Sequence, residues 1–266
     1  MALATPPADT GPSLPLGFSY SSLSMYAACP LRYRYAYVER IPGPERPRAP
    51  LAFGSMAHAA LESFTRERRE RALGGEPPPG RADLDRLFYA AWDPTQFDSA
   101  ETVAAFEARV ANLLDNFWAG EQARDGETLA EELGFELLLD SADGGDPVRL
   151  YGVIDRIDRL RSGGIEVIDY KTGRPWFSDS LAGNLQLTIY ALACRDALGL
   201  GTPERVTLDF PEVPVRLSTV RTDEALDAAR SMLATRILPI RAAEFTATPG
   251  DSCRWCDYSA ICPERV

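Results

Sequence analysis

A chain of 266 residues, 45% of them apolar, is long enough for one sizeable core or for a core with a helical subdomain. No apolar run in it approaches the length of a membrane span. The net charge of −11 argues against a protein that coats nucleic acid by bulk attraction, but leaves room for one that binds a polyanion through metal ions and a local basic strip.

Residues 1–18 are rich in Pro, Ala and Thr, with neither the basic start nor the apolar stretch of a signal peptide. They are expected to be a disordered lead-in, and a cytoplasmic location follows. Ser19 to Val38 reads as a helix interrupted at Pro30, and Pro42 to Pro50 as a proline-rich loop. Ser55 is placed to cap a second helix, through His58, Leu61 and Phe64 into Arg66–Arg71. After a loop at Gly74 to Gly80, helical periodicity runs from Leu84 to Trp92 and from Val103 to Trp118. The character then changes: Phe135–Leu139, Leu150–Leu160 and Ile165–Tyr170 are strand-like, separated by Gly and Asp clusters. A helix over Leu185–Leu198, strands at Val206–Phe210 and Val215–Val220, a helix over Asp223–Ile240 and a cysteine-bearing tail complete the chain. This order predicts one α/β domain from residue 19 to 266. It would have a mixed central sheet, flanking helices and a helical insertion near 65–130.

The most informative stretch is Gly152-Val-Ile-Asp155-Arg-Ile-Asp, followed across Gly163-Gly164 by Val167-Ile-Asp169-Tyr-Lys171-Thr-Gly173. Two apolar strands around a glycine pair predict a β-hairpin. Side chains at i and i+2 share a strand face, so Asp169 and Lys171 point the same way. A three-residue turn over Arg161–Gly163 sets Asp155 opposite Asp169. At roughly 5 Å, facing carboxylates destabilise each other unless a cation lies between them. Carboxylates with backbone and water oxygens suit Mg²⁺ or Mn²⁺, and a lysine beside them can orient water and stabilise charge growing on a phosphate. Of 28 basic residues only Lys171 is a lysine, and His58 is the single histidine. A position that keeps lysine in an arginine chain suits a compact, mobile ammonium.

These motifs resemble the PD-(D/E)XK nuclease superfamily, in its RecB-like branch. The resemblance implies that Asp155 and Asp169 hold the metal, that Lys171 is the catalytic lysine and that the Tyr170 backbone carbonyl is a further ligand. It also implies a helix-borne histidine ligand, matched by Phe53-Gly-Ser-Met-Ala-His58. Gln186-Leu-Thr-Ile-Tyr190 resembles the branch's substrate-contacting QxxxY helix, and residues four apart share a helix face. Glu132 resembles, more weakly, an acidic position ahead of the hairpin.

Cys253-Arg-Trp-Cys256 and Cys262 form C-x2-C-x5-C, with Cys29 far upstream and Cys194 left over for apolar packing. Spacing alone leaves structural zinc and a [4Fe–4S] cluster open. One cysteine in an N-terminal Cys-Pro motif and three at the C-terminus resemble the AddB-type nucleases and the CRISPR-associated iron–sulfur exonucleases. That resemblance implies a cluster on Cys29, Cys253, Cys256 and Cys262. Joining positions more than 200 residues apart would strongly restrict the unfolded chain.

The expectation is therefore a metal-dependent DNA exonuclease acting on single strands or ends, in repair or recombination. The chain carries no G-x4-G-K-[ST] motor motif, so a separate helicase subunit is a candidate partner. The rival readings are a non-catalytic iron–sulfur DNA-end-binding module and a zinc-stabilised interaction domain. Arg66, Arg68, Arg69 and Arg71 read as a DNA path or as a solvated helix face; Tyr26, Tyr33, Tyr35 and Tyr37 as base-stacking surfaces or as core.

Overall fold

The computed structural model of the protein describes residues 14–43, 49–124, 126–175 and 181–266. Most of the expected lead-in and the middle of the proline-rich loop lie outside those residues. Helix α1 (Tyr20–Ala28) starts where Ser19 and Ser22 each accept the other's backbone N–H, at 3.2 and 3.0 Å, a reciprocal cap. It stops at Cys29, whose backbone is extended, because Pro30 cannot continue it. Pro30 instead opens the short helix α2 (Pro30–Tyr33), which runs on into a π-helical turn over Arg34–Val38. The interruption thus puts Cys29 at an elbow between two helical segments.

Helix α3 (Ala49–Gly74) begins six residues ahead of the expected Ser55 cap. Pro50 lies in its first turn, where a missing N–H leaves no bond unmade. Helices α4 (Arg81–Ala91) and α5 (Ala100–Gln122) follow, the latter capped by Ser99. Phe53, Phe64, Phe88, Leu113 and Phe117 from these three helices pack with Ile168 and Tyr170 into one buried cluster.

Five strands form one sheet in the order β1 (Gly126–Leu139), β2 (Val148–Leu160), β3 (Ile165–Tyr170), β4 (Arg205–Phe210), β5 (Val215–Thr219). β2 and β3 are antiparallel, β3 and β4 parallel, β4 and β5 antiparallel, so the sheet is mixed. The parallel pair requires a crossover, supplied by α6 (Leu185–Leu192) and the π-helical turn Ala193–Ala197 that extends it. Helix α7 (Asp223–Arg241) follows β5. This is the expected α/β fold with flanking helices. The β2–β3 register pairs Arg156 with Ile168, as the three-residue turn predicts. Gly163 takes that turn at φ +90°, open to glycine and strained for other residues.

The chain divides into two compact units, one of residues 1–45, 138–150 and 231–266, the other of residues 46–137 and 151–230. Within the first, residues 26–37 pack against residues 244–258. Tyr33 stacks on Tyr37 and Phe245, Tyr26 donates to the Glu244 carbonyl at 2.7 Å, and Arg32 pairs with Asp257 at 3.1 Å. Tyr35 meets Tyr258 edge-on. Of the tyrosines flanking Cys29, Tyr33 is buried in this packing, while Tyr26, Tyr35 and Tyr37 stay partly exposed. No helix among the described residues is long and apolar enough to cross a membrane.

Candidate active site

The site lies in the second unit, where β2 and β3 part. Pairing ends at Arg156 and Ile168, leaving Asp155 and Asp169 one step beyond the last bonded residues. Asp155 Oδ2 accepts the Tyr170 backbone N–H at 2.8 Å, which fixes its carboxylate against the neighbouring strand. Just past β3, Lys171 is anchored by its N–H to the Asp209 carbonyl of β4, at 2.8 Å.

The Lys171 ammonium stands 2.6 Å from Asp169 Oδ2 and donates to Gln186 Oε1 at 2.9 Å. Gln186 Nε2 in turn donates to the Tyr190 hydroxyl at 2.9 Å, and Tyr190 hydrogen-bonds Asp169. Asp169, Lys171, Gln186 and Tyr190 thus close a ring. The i, i+4 spacing on α6 places the last two side by side.

His58 comes from α3, with Nδ1 3.4 Å from Asp155 Oδ2 and a hydrogen bond to the Tyr170 backbone. The glycine of its motif explains the approach: a Cβ on Gly54 would lie 3.1 Å from Thr172 Oγ1, so α3 rests against the loop that follows Lys171. His58, Glu132 and Asp155 offer ligand atoms all within 4.8 Å of one another, the one such group of three among the described residues. Asp169 stands outside that trio, turned to Lys171 and Tyr190. Sequence reasoning gave Glu132 little weight. It sits in edge strand β1 at φ +44°, in the left-handed region that side chains with a Cβ rarely adopt, and such strain collects at functional sites. No local sequence signal announces that conformation.

The electrostatics of the group suit a cation. Burial, then the Asp169 charge, pushes the Asp155 carboxyl upward; burial pushes Asp169 up against the pull of Lys171. Glu132 is raised by burial, Asp155 and Glu62. Three carboxyls disfavoured as anions are short of positive charge, and a divalent ion would supply it. Burial lowers His58, so its imidazole is neutral and can act as a nitrogen ligand. His58, Glu132 and Asp155 are a donor set that fits a divalent cation.

Beneath this site lies a buried ionic network. Glu121 accepts from Arg68 at 2.8 Å and Arg156 at 2.7 Å, and also from Arg124. Arg156 Nε donates to Asp158 at 2.6 Å, and Arg124 Nη2 reaches Asp209 at 3.4 Å. Both Arg124 and Arg156 hold the Tyr170 hydroxyl, at 3.1 and 3.3 Å. Three guanidinium groups face three carboxylates, and together they pin the side chain whose backbone carries the site. The arginines of α3 are likewise engaged within the protein. Arg66 pairs with Glu62, Arg68 with Glu121, Arg69 with Glu131, and Arg71 with Glu67. Their guanidinium groups remain partly exposed beside these partners.

In the first unit, Cys29, Cys253, Cys256 and Cys262 line a single cavity, together with Arg32, Tyr35 and Tyr258. No three of their sulfurs lie within 4.8 Å of one another. Cys194 is buried on the turn after α6, apart from them, and burial pushes its thiol up to about 12, so it is an inert packing residue.

Fold and site together are those of an α/β nuclease core. The chain belongs to the PD-(D/E)XK nuclease superfamily, whose profile matches residues 17–263. It is 27% identical over 220 residues to a subunit of the ATP-dependent helicase/deoxyribonuclease of Clostridium botulinum strain Loch Maree, a match over 73% of this chain. It is 34% identical over 99 residues, 36% of this chain, to the corresponding subunit from Streptococcus mutans. The chain spans only 19% and 8% of the length of these relatives. A candidate exonuclease from Eubacterium rectale shares the fold at TM-score 0.53 and 12% identity, over 94% of this chain and 91% of that one.

Proposed function

We propose that the chain is a divalent-metal-dependent deoxyribonuclease, acting as an exonuclease on single-stranded DNA or DNA ends in repair or recombination. The observation that carries this reading is the Lys171 ammonium, held between Asp169 and Gln186 beside the grouping of His58, Glu132 and Asp155. DNA as substrate, and a helicase as partner, are supported by the names of the sequence relatives.

His58, Asp155, Asp169 and the Tyr170 carbonyl, with Glu132 added by its position, would hold Mg²⁺ or Mn²⁺. Bound there, the metal would make water more acidic and stabilise the leaving oxygen of a phosphodiester. The chain's own contribution is orientation. Lys171 offers donors on a mobile stem, and the ring through Gln186 and Tyr190 limits where that stem can point. From there it can aim a water, or a phosphate oxygen, and stabilise the charge that develops. Gln186 and Tyr190 would meet the substrate from the same side.

In the first unit, Cys29, Cys253, Cys256 and Cys262 would hold a [4Fe–4S] cluster. Tetrahedral zinc with bonds of about 2.3 Å draws its sulfurs to about 3.8 Å from one another. What supports the cluster is that the four cysteines of the motif line one shared cavity.

The test is digestion of end-labelled single-stranded DNA by anaerobically purified protein, with Mn²⁺ or Mg²⁺, beside Lys171→Ala. Metal-dependent cleavage lost in the variant supports the reading, and the two end labels give the polarity. A brown, folded protein that cleaves nothing with either metal would favour the non-catalytic DNA-end-binding module. A colourless protein containing zinc would overturn the cluster assignment.

A further inference from the structure

We propose that Glu212, with Arg109 as its counter-ion, is a positioning residue that holds the backbone just beyond Lys171. This rests on the nuclease reading for its consequence and on hydrogen bonds for its geometry. Lys171 is the last residue of this stretch bonded to the sheet. Two positions on, Gly173 turns at φ +107°, and its N–H donates to Glu212 Oε1 at 2.5 Å. Glu212 lies in the turn between β4 and β5. It meets the site loop from the turn that follows β4, the strand that anchors the Lys171 N–H.

The Glu212 carboxylate cannot swing. Arg109 on α5 grips both its oxygens, Nη2 to Oε1 at 2.7 Å and Nε to Oε2 at 2.8 Å, the planar bidentate match of guanidinium to carboxylate. Arg109 is itself fixed, its guanidinium carbon 4.6 Å from the Phe53 ring centre and 4.5 Å from that of Phe106. Phe53 precedes the glycine that lets α3 rest on Thr172. Residues 171–173 are thus held by β4 through Asp209, by Glu212 from the following turn, and by α3 at Gly54. The first is a backbone contact that most sequences could make, and the hold at Gly54 needs a residue without a Cβ. The hold by Glu212 needs a carboxylate at 212 and an arginine at 109.

A mobile lysine works only as well as its Cα is placed. A displacement of about 1 Å in a reacting group can cost about 100-fold in rate. Releasing Gly173 frees the loop that sets the Lys171 Cα without removing any metal-ligand candidate. The expected signature is a fall in kcat with KM and metal affinity little changed.

Lys171, as the only lysine, gives a readout independent of cleavage. Protein grown on lysine labelled with ¹³C at Cε shows a single lysine side-chain resonance. In Glu212→Ala that resonance should move toward the free-lysine position and sharpen, while kcat falls ~10–100-fold and KM and the Mn²⁺ affinity hold. Glu212→Gln, which keeps an acceptor for Gly173 but loses the charge that Arg109 grips, should fall between. Should Glu212→Ala not fold, Glu212→Gln and Arg109→Lys carry the same test. An unmoved resonance, or a loss confined to KM, would overturn the clamp. A wild-type chain that cleaves nothing would defeat the nuclease reading, and the resonance alone would then decide for or against the clamp.

Discussion

Replacing Glu121 by glutamine tests the ionic network under the site. The Glu121 side chain is fully buried and accepts from three arginines. Burial alone would push its carboxyl upward, yet Arg156, Arg124 and Arg68 outweigh it and hold the group down at about 2, against an ordinary 4.5. At 1.36 kcal/mol for each unit, that difference is worth about 3 kcal/mol. It agrees with the ~3–5 kcal/mol typical of breaking a buried ion pair by removing one partner. A group depressed in the folded state contributes fully above its unfolded value and loses that contribution as pH falls through its folded value. Glu121→Gln should therefore lose about 3 kcal/mol at pH 7, or about 6–12 °C in Tm for a chain of this size. Near pH 3.5 the gap should narrow to about 2 kcal/mol. The assay is urea unfolding followed by tryptophan emission, to which Trp92 and Trp118, packed against the core of this unit, contribute. A variant within about 0.5 kcal/mol of wild type at pH 7 would refute the reasoning. So would a gap that widens in acid, since the arginines would then not be what holds Glu121 ionised.

Three further outcomes follow from the geometry. Asp155 is raised in the fold, so its ionised form costs stability as pH rises through that raised value; Asp155→Asn should melt above wild type at pH 8 without metal, show no gain at pH 4, and lose the stabilisation that Mn²⁺ gives wild type. Equal melting of the two metal-free proteins at pH 8 would count against the cation-poor site. Gly152→Ala would place a Cβ 2.7 Å from the tip of the Phe135 ring, which packs on Tyr190; a loss of ~1–3 kcal/mol is expected, read as a lower urea midpoint, and an unchanged midpoint would mean that the ring moves freely. With the proposed cluster in place, Cys256→Ala should lose its brown colour and, by analogy with long cross-linked loops, on the order of 5 kcal/mol; a soluble, colourless and equally heat-stable variant would contradict a cluster that ties residues 29 and 256.

What the sequence disclosed follows from which interactions are local. The hairpin was legible to its register, because the turn at Gly163-Gly164 and the i, i+2 alternation are both short-range. The break at Pro30 was legible for the same reason. The start of α3 was not: Ser55 has the chemistry of a cap, but a proline in the first turn leaves the helix free to begin at Ala49. β1 runs from Gly126, nine residues before its apolar alternation starts, because an edge strand with Glu127, Glu131 and Glu132 along it has no clean pattern to show. Glu132 itself was undervalued because its position depends on a positive φ that no neighbouring residue dictates. The buried network was illegible for a different reason. Glu121 looks like an exposed residue near the end of an amphipathic helix, and its partner Arg156 is 35 positions away. Ion pairs between distant elements leave no periodicity.

The same pairing bears on how so acidic a chain would carry out the proposed nuclease reaction. At net charge −11 the protein repels a polyanion at long range. The arginine run on α3 does not offset this, because its members already face Glu62, Glu67, Glu121 and Glu131. Two of those pairs lie within the helix that carries His58, and two tie it to Glu121 and Glu131. Around the site itself Asp155, Asp169 and Glu132 are all pushed upward, disfavoured as anions for want of positive charge, and Lys171 is the one cation of the ring. Divalent ions bound there would favour the ionised carboxylates and supply the positive charge that a phosphate needs. In this chain metal binding and substrate binding would then be one linked event. The arginines would serve the scaffold, while the metal ions and a single lysine serve the chemistry.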